Sequence, residues 1–582
     1  MTFSPPLAEI AAALRLADQS GGSVLADLPV DEVLGEAGRL AAEVLAPLNR
    51  VGDREGAALR DGGVATAPGW RAAYEHFAAG GWTGVSAPEA HGGLGLPVMV
   101  EMAVQELWNA GNAAFAVGPM LTVGAIEAIA AHGSDALKAL YLPKLTSGAW
   151  TGTMNLTEPQ AGSDLALLAT RAEPAGDGSY RITGQKIFIT YGDHDLAENI
   201  VHLVLARLPD APAGTAGISL FLVPKFLPDD DGTPGRRNAV TVAGIEHKLG
   251  LHGSPTCTMA YEGATGFLLG EENRGLACMF TMMNLARLSV GIQGVGIAER
   301  AWQAALAYAR ERRQGRAPGS TDPGPDAIVR HPDVQVMLMR MASLVTASRA
   351  LCYACAHAID MGRTGPAAER GDWADRASLL TPLAKAFATD AAVEVASLGI
   401  QVHGGAGYIE ETGAAQFLRD ARIFPIYEGT NGIQAIDLVA RKLRLDDGRA
   451  VTAVTAELDA IAEALATSRH ESLRAMHRPL ASAIDRLRAA TAFIAGAWAD
   501  GRRVEALAGA GAYLRLFATT LAGGLLAKGA LVGEGDPEGR AEFAKATFFA
   551  QTVLPETCAL EAAATGAGRG LGPGSARLLM GD

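Results

Sequence analysis

One carboxylate, Glu428, stands between the apolar run Ile423-Phe424-Pro425-Ile426-Tyr427 and a Gly429-Thr430-Asn431-Gly432 turn. A carboxylate packed among Ile, Phe, Pro and Tyr sheds water, and desolvation raises its pKa toward neutrality. So tuned, it can serve as a general base near pH 7. The same spacing suits an ordinary glutamate that caps a helix beside a turn, so Glu428 needs company before it reads as chemistry. Met154-Asn-Leu-Thr-Glu-Pro-Gln-Ala-Gly-Ser-Asp164 ends in small and hydroxyl residues, which let backbone N–H groups approach a planar polar ring or a phosphate. Arg310-Glu-Arg-Arg-Gln-Gly-Arg316 gathers guanidinium groups at the end of a helical pattern, where they can bind phosphate or offset the helix dipole. Gln401-Val-His-Gly-Gly-Ala-Gly407 permits close backbone approach, or is simply a turn.

Other reactive side chains read as structural. Cys352 and Cys355 share one face of a long helical pattern from Val334 to Met361, while His357 points to the opposite side. A metal site there lacks ligands, and none is expected. The cysteines are Cys257, Cys278, Cys352, Cys355 and Cys558, an odd number that fits reduced thiols. His403 sits in the glycine-rich segment and reads as a structural histidine.

The elements that must position these residues change along the chain. Residues 1–150 carry helical spacing, as in Glu32-Val-Leu-Gly-Glu-Ala-Gly-Arg-Leu-Ala-Ala-Glu-Val-Leu45, and read as an all-helical domain. From 151 to 270 the runs shorten to strands: Tyr180 to Thr190, Ile200 to Ala206, Gly217 to Pro224 and Thr256 to Tyr261. Short strands without intervening helices indicate an antiparallel barrel or sandwich. Helical patterns return over 271–445, which reads as a four-helix bundle. After the break at Asp446-Asp-Gly-Arg449 an additional helical domain occupies 446–582. The fold class expected is therefore α+β and multidomain, in agreement with 582 residues being too many for one core.

Acids outnumber bases 63 to 49, a net charge of -14 that argues against nucleic acid or anionic membrane as a general partner. Residues 450–582 mix both signs, as in Asp536-Pro-Glu-Gly-Arg-Ala-Glu542. No window of 18 consecutive strongly apolar residues is evident, so no membrane span is expected. The start, Met1-Thr-Phe-Ser-Pro-Pro, lacks the regions of a signal peptide, and a cytoplasmic location is the expectation.

Taken in chain order, four segments resemble those of the acyl-CoA dehydrogenases. Over its length the chain is similar to their long bacterial branch, which has an additional C-terminal helical domain. The segments are Met154 to Asp164; Lys186-Ile-Phe-Ile-Thr190; Asn284-Leu-Ala-Arg287 with the arginine cluster ending at Arg316; and Gln401 to Gly407 followed by Arg419-Asp-Ala-Arg422 and Tyr427-Glu428-Gly429-Thr430. The resemblance implies FAD as cofactor. Met154, Leu156 and Thr157 would lie along the isoalloxazine, and Ser163 would serve the flavin pyrophosphate or the acyl-CoA. Phe188, Ile189 and Thr190 would pass beside the flavin, Phe188 standing where many members have Trp. Arg312 with Gln314 would grip FAD. Asn284, where Asp is commoner, and Arg287 would face the CoA portion. Gln401, Gly404 and Gly405 would reach the FAD of a neighbouring subunit, which implies a homodimer or homotetramer. Thr430 and Gly432 would touch the flavin, and Gly429 the substrate.

The activity implied is α,β-dehydrogenation of an acyl-CoA thioester to the trans-2-enoyl-CoA. Glu428 would remove the α-proton, the β-hydride would pass to FAD N5, and an electron-transfer flavoprotein would take the electrons. Preorganised donors on the thioester oxygen would lower the barrier as an oxyanion hole does. Two readings compete: an acyl-CoA oxidase that uses oxygen, and a flavin-containing relative that binds nucleic acid. The latter needs a basic C-terminal patch, which the mixed charges of 450–582 do not supply.

Overall fold

Alternating residues from Tyr180 to Thr190 form a single strand in the computed structural model, which describes residues 3–19, 22–321, 323–532 and 540–581. Met1, Thr2 and the 536–539 part of the mixed-charge stretch lie outside the described residues. The chain divides into two compact units: Pro29–Ser289 with Phe3–Pro5, and Val290–Asp582 with Pro6–Leu28.

The first of these units is built around a seven-stranded sheet. Its longest strand, Thr256–Leu268, pairs along most of its length with Tyr180–Thr190, and on its other side with Val240–Ile245 and, at its end, with the middle of Ser219–Pro224. The pairings are antiparallel with one exception. Trp150–Asn155 runs parallel to Asn199–Ala206, Met154 opposite Leu203, which corrects the expectation of an all-antiparallel sheet. The chain between those two strands is long enough for a crossover, as parallel neighbours require. Ile182, Val204, Phe221 and Tyr261 fill the core of this sheet. A polar thread crosses it: Tyr261 Oη donates to Asn155 Oδ1 at 2.8 Å, and the Asn155 amide meets His202 Nδ1 at 3.3 Å. Burial pushes His202 down to about 3, so it stays neutral.

Helix Val98–His132 packs on strand Trp150–Asn155 and is buried nearly all round. Gly152 N–H donates to Thr122 Oγ1 at 3.1 Å, tying strand to helix. The helix kinks at Asn112 (φ −159°), whose side chain recaps the second half by accepting from Phe115 N–H at 3.1 Å. The amphipathic stretch from Glu32 to Leu45 forms helix Val30–Arg39 and then a π-helical turn, Leu40–Leu45. This region is not all-helical as expected. Ala58–Arg60 and Gly63–Ala65 make a hairpin, because Asp61 (φ 46°) and Gly62 (φ 77°) supply the two left-handed residues such a turn needs.

The second unit is helical. Pro332–Thr364 packs along Arg370–His403, and Leu7–Asp18 lies on Pro332–Thr364. Among the C-terminal helices, Ala510–Leu531 is the central one. It packs on Arg370–His403, Pro332–Thr364 and Asn431–Ala440 as well as on its own neighbours Arg449–Ala466 and Glu471–Ala499. Gly524 allows that approach, since a Cβ there would stand 2.2 Å from Leu458 Cδ2. Ion pairs join the bundle helices to the C-terminal ones: Arg340 bonds Glu394 of Arg370–His403 and, at 2.7 Å, Glu556, while Arg376 meets Glu457 at 2.6 Å. The architecture is thus helical, then β, then helical with additional C-terminal helices.

Three helices, Val98–His132, Gly275–Glu311 and Ala510–Leu531, are long and apolar enough to cross a membrane by length and composition. The sequence reading asked for unbroken strongly apolar runs and so passed over these helices, which are diluted by Gly, Ala and Thr. Their apolar windows are 89%, 67% and 83% buried within the protein. All five cysteines are free, and all but Cys558 are buried. Burial lifts the Cys355 thiol to about 12, and its sulfur lies 3.6 Å from Thr381 Oγ1. Among the described residues no group of three or more His, Cys, Asp or Glu is arranged to hold a metal ion.

Candidate active site

In the β-sheet unit, the segment after strand Trp150–Asn155 is held against strand Tyr180–Thr190 by a buried ion pair. Lys186 Nζ meets Glu158 Oε1 at 2.8 Å, with both side chains almost wholly inside. Glu158 also accepts from Thr170 N–H (3.0 Å) and Oγ1 (2.5 Å), Ala169 N–H (2.7 Å) and Gln160 Nε2 (2.6 Å). Burial alone would raise its pKa. The Lys186 charge and these hydrogen bonds outweigh burial and hold Glu158 below the usual carboxylate value. Lys186 also donates to Leu156 O at 3.0 Å, and Ile187 N–H donates to Thr157 O at 2.9 Å. The backbone of Leu156 and Thr157 is therefore fixed beside the strand that carries Phe188.

At Phe188 that strand bulges. The register against Thr256–Leu268 slips between Ile189 and Lys186, and Phe188 takes φ +59° with 60% of its surface exposed. A non-glycine residue in this conformation costs about 1–3 kcal/mol and points to a constraint at the site. Ile189 instead sends its side chain into the sheet core. Thr190 accepts from Thr153 Oγ1 at 2.7 Å through its carbonyl, which draws it to the strand bearing Met154. Among the described residues Thr157 uses only its carbonyl in hydrogen bonds, and Ser163 is exposed beside Gly162, over which nothing lies within 4 Å. Met154, Leu156, Thr157, Phe188 and Thr190 are thus brought together, with donors and an exposed ring in reach of a flat polar ligand. On helix Gly275–Glu311, Asn284 is exposed, whereas Arg287 is buried with its guanidinium over the Phe280 ring at 5.7 Å.

In the helical unit, Glu428 (φ +54°) and Gly429 (φ +84°) form consecutive left-handed residues at the mouth of helix Asn431–Ala440. Thr430 caps that helix, its Oγ1 accepting from Ile433 N–H at 3.1 Å. The expected apolar enclosure of Glu428 is one-sided: Phe424 is buried, Ile426 is 45% exposed, and Glu428 itself is half-buried. The turn forces this, because reversing the chain at Glu428 leaves Ile426 on the outside. Tyr427 reaches inward and donates to Gln293 Oε1. Burial, and secondarily the charge of Glu428, lift its phenol well above the ordinary value.

Fully buried Lys385 holds the turn from below. Its Nζ donates to Gly429 O and to Asn431 Oδ1, each at 2.9 Å. Asn431 Nδ2 then donates to Asp390 Oδ1 at 2.8 Å, and Gln434 Nε2 lies 3.3 Å from Gly429 O. A charge-assisted bond of this kind contributes about 1.5–3 kcal/mol, enough to offset the left-handed strain at Glu428. Gly432 is exposed at the first turn of the helix.

At the end of Gly275–Glu311, Arg312 and Gln314 are exposed. The loop beyond them is organised by buried Asp326, which accepts from Ala317 N–H (2.8 Å), Ser320 Oγ (3.0 Å) and Arg330 (2.8 Å). These bonds hold its carboxyl below the ordinary range. Tyr308, one turn before Arg312, stacks on His403 with centroids 4.4 Å apart, which brings that helix end to the Gly404-Gly405 turn. Gln401, Gly404 and Gly405 are exposed, and nothing lies within 4 Å of a Cβ at either glycine. Sequence reasoning missed Lys186, Glu158, Lys385 and Asp390, the polar groups that set the two loops. The available signal was a lysine at a position where the strand or helix pattern calls for an apolar residue.

Comparisons with known proteins bear on the whole chain. Four family models match in order: acyl-CoA dehydrogenase N-terminal domain at 31–149, middle domain at 153–264, C-terminal domain at 273–443, and an acetyl-CoA dehydrogenase C-terminal-like domain at 454–571. The 3-methylmercaptopropionyl-CoA dehydrogenase of Ruegeria pomeroyi is 46% identical, over 98% of this chain and 99% of its own. Among solved structures, Caenorhabditis elegans ACDH-11 in complex with C11-CoA superposes with a TM-score of 0.79 at 21% identity, covering 94% of this chain and 91% of its own. An acyl-CoA dehydrogenase from Bacillus anthracis complexed with FAD gives 0.70 at 21% identity, covering 100% and 92%. The chain therefore belongs to the acyl-CoA dehydrogenase family of FAD-using oxidoreductases.

Proposed function

We propose that the protein oxidises a short acyl-CoA thioester to its trans-2-enoyl-CoA, with Glu428 as the base that takes the α-proton. The observation that carries this reading is the Glu428 turn. A carboxylate in a family-matched segment is held in a left-handed conformation by a buried lysine and a helix cap. Such rigidity is what proton abstraction from a weakly acidic carbon needs, since the base must stand in line with the bond it breaks. The preference for a short acyl group is supported by the name of the 46% identical relative, which acts on 3-methylmercaptopropionyl-CoA.

The residues present suit FAD. An exposed aromatic ring at Phe188, the Thr157 donors and open space over Gly162 offer a flat polar surface, and exposed Arg312 offers charge for phosphate. When bound, FAD supplies the two-electron acceptor for the β-hydride. In this proposal Met154, Leu156, Thr157, Phe188, Ile189, Thr190, Arg312, Gln314, Gln401, Gly404, Gly405, Thr430 and Gly432 hold the cofactor, and Ser163, Asn284, Arg287 and Gly429 hold the substrate. An electron-transfer flavoprotein as acceptor, a cytoplasmic location and domain limits at about residues 150, 270 and 445 complete it. A homo-oligomer is favoured by Tyr408 and Ile409, which are 85% and 51% exposed just beyond the Gly404-Gly405 turn. The test is anaerobic flavin bleaching of Glu428→Gln by acyl-CoA. The variant should retain FAD and lose bleaching by at least about a thousandfold, as loss of an essential base implies; near-normal bleaching refutes the assignment.

A further inference from the structure

We propose that Lys385 is a positioning residue of the reaction: with Asn431 and Asp390 it sets the Glu428 turn, and accessory helix Ala510–Leu531 braces that cluster. The inference rests on Glu428 being the base. Lys385 is wholly buried in the middle of helix Arg370–His403, among Leu383, Ala384, Ala386 and Ala388. An ammonium there must direct its donors to protein acceptors. Two of them go to Gly429 O and Asn431 Oδ1, the residues one and three positions after Glu428. Asn431 is fixed from its other end as well, its Nδ2 donating to Asp390 Oδ1 at 2.8 Å and lying 3.1 Å from Thr389 Oγ1. The peptide after Glu428 therefore cannot turn without breaking a bond to a buried charge.

The additional C-terminal helices enter the same cluster. Ala510–Leu531 packs against both Arg370–His403 and Asn431–Ala440, the two helices that Lys385 and Asn431 join. Its exposed Arg515, with Lys385 and Arg422, adds positive charge near Asp390, whose carboxyl burial nevertheless keeps above its ordinary value. A helix outside the catalytic bundle thus contributes to holding the base.

The test compares the holoenzyme with Lys385→Met and with Lys385→Met/Asp390→Asn, which removes the buried cation and its nearby carboxylate together. Butyryl-CoA and 3-methylmercaptopropionyl-CoA serve as probes. We expect FAD content within twofold of wild type, a limiting bleaching rate about 30–100-fold lower, and a half-saturating concentration changed less than threefold. The isotope effect with α-deuterated butyryl-CoA should increase. In the FAD-free protein, hydrogen exchange of the peptide spanning residues 423–434 should accelerate about tenfold or more. A bleaching rate within threefold of wild type, or activity lost only in step with FAD or fold in both variants, overturns the proposal. Glu428→Gln run in parallel separates the two readings: if it bleaches normally, the base assignment itself has failed.

Discussion

Glu101 offers a quantitative check on the helix beneath the Met154 strand. It is fully buried on Val98–His132, with one oxygen accepting from Gln105 Nε2 at 2.8 Å. Burial lifts its pKa from 4.5 to about 7, and hydrogen bonds from Gln105 and Ser86 oppose this only in part. The folded state therefore favours the protonated acid. Below pH 4.5 the residue is neutral in both states and costs nothing. Between 4.5 and 7 the unfolded chain ionises first, so stability falls as pH rises, and the loss levels off above 7. Glu101→Gln has the same shape and no titration. Its advantage over wild type should grow by about 2.5 kcal/mol from pH 5 to pH 8, since a tenfold change in a proton-binding constant is worth about 1.36 kcal/mol. Urea unfolding at both pH values, followed by the fluorescence of the buried Trp70 and Trp108, measures that difference of differences. A constant offset between the two proteins would show that Glu101 is charged in the fold, and the argument from burial would be wrong.

Lys186→Met leaves Glu158 buried without its cation, a change that costs about 3–5 kcal/mol. It also frees Leu156 O, so melting should fall and FAD should be lost on gel filtration; unchanged FAD retention would contradict the positioning role given to the pair. Thr430→Ala removes the cap on helix Asn431–Ala440 and should cost about 1 kcal/mol of stability. It should also lower turnover, and Thr430→Ser should restore both; a Ser variant no better than Ala would exclude the cap as the reason.

What the sequence made legible depended on whether a signal was local. Tyr180 to Thr190 is one strand because alternation is written in consecutive residues, and its bounds came out as expected. Glu428 was singled out because the apolar run and the turn that frame it are adjacent in the chain. The parallel pairing of Trp150–Asn155 with Asn199–Ala206 has no local mark: it is set by a long crossover connection. The Asp61-Gly62 hairpin did have one, an Asp-Gly dipeptide, but helical spacing on either side hid it. Lys385 is the instructive case. It lies 43 positions before Glu428 in a helix whose neighbouring residues fit a buried face. Read by periodicity, it is a defect in an apolar stripe. Read by electrostatics, a lysine that a helix must bury has to find acceptors, and two that Lys385 reaches are a backbone carbonyl and a side-chain amide. Carbonyls not used up by a helix or sheet ladder occur at turns, so a buried lysine in such a stripe points to a turn of fixed shape somewhere else in the chain. The same logic applies to Lys186, which takes Leu156 O and Glu158 in the β-sheet unit. In each unit the cation is remote in sequence from the loop it fixes, and in each it binds the backbone next to residues proposed to meet cofactor or substrate. A mismatch between periodicity and charge is therefore as informative about this site as the motif that first drew attention to it.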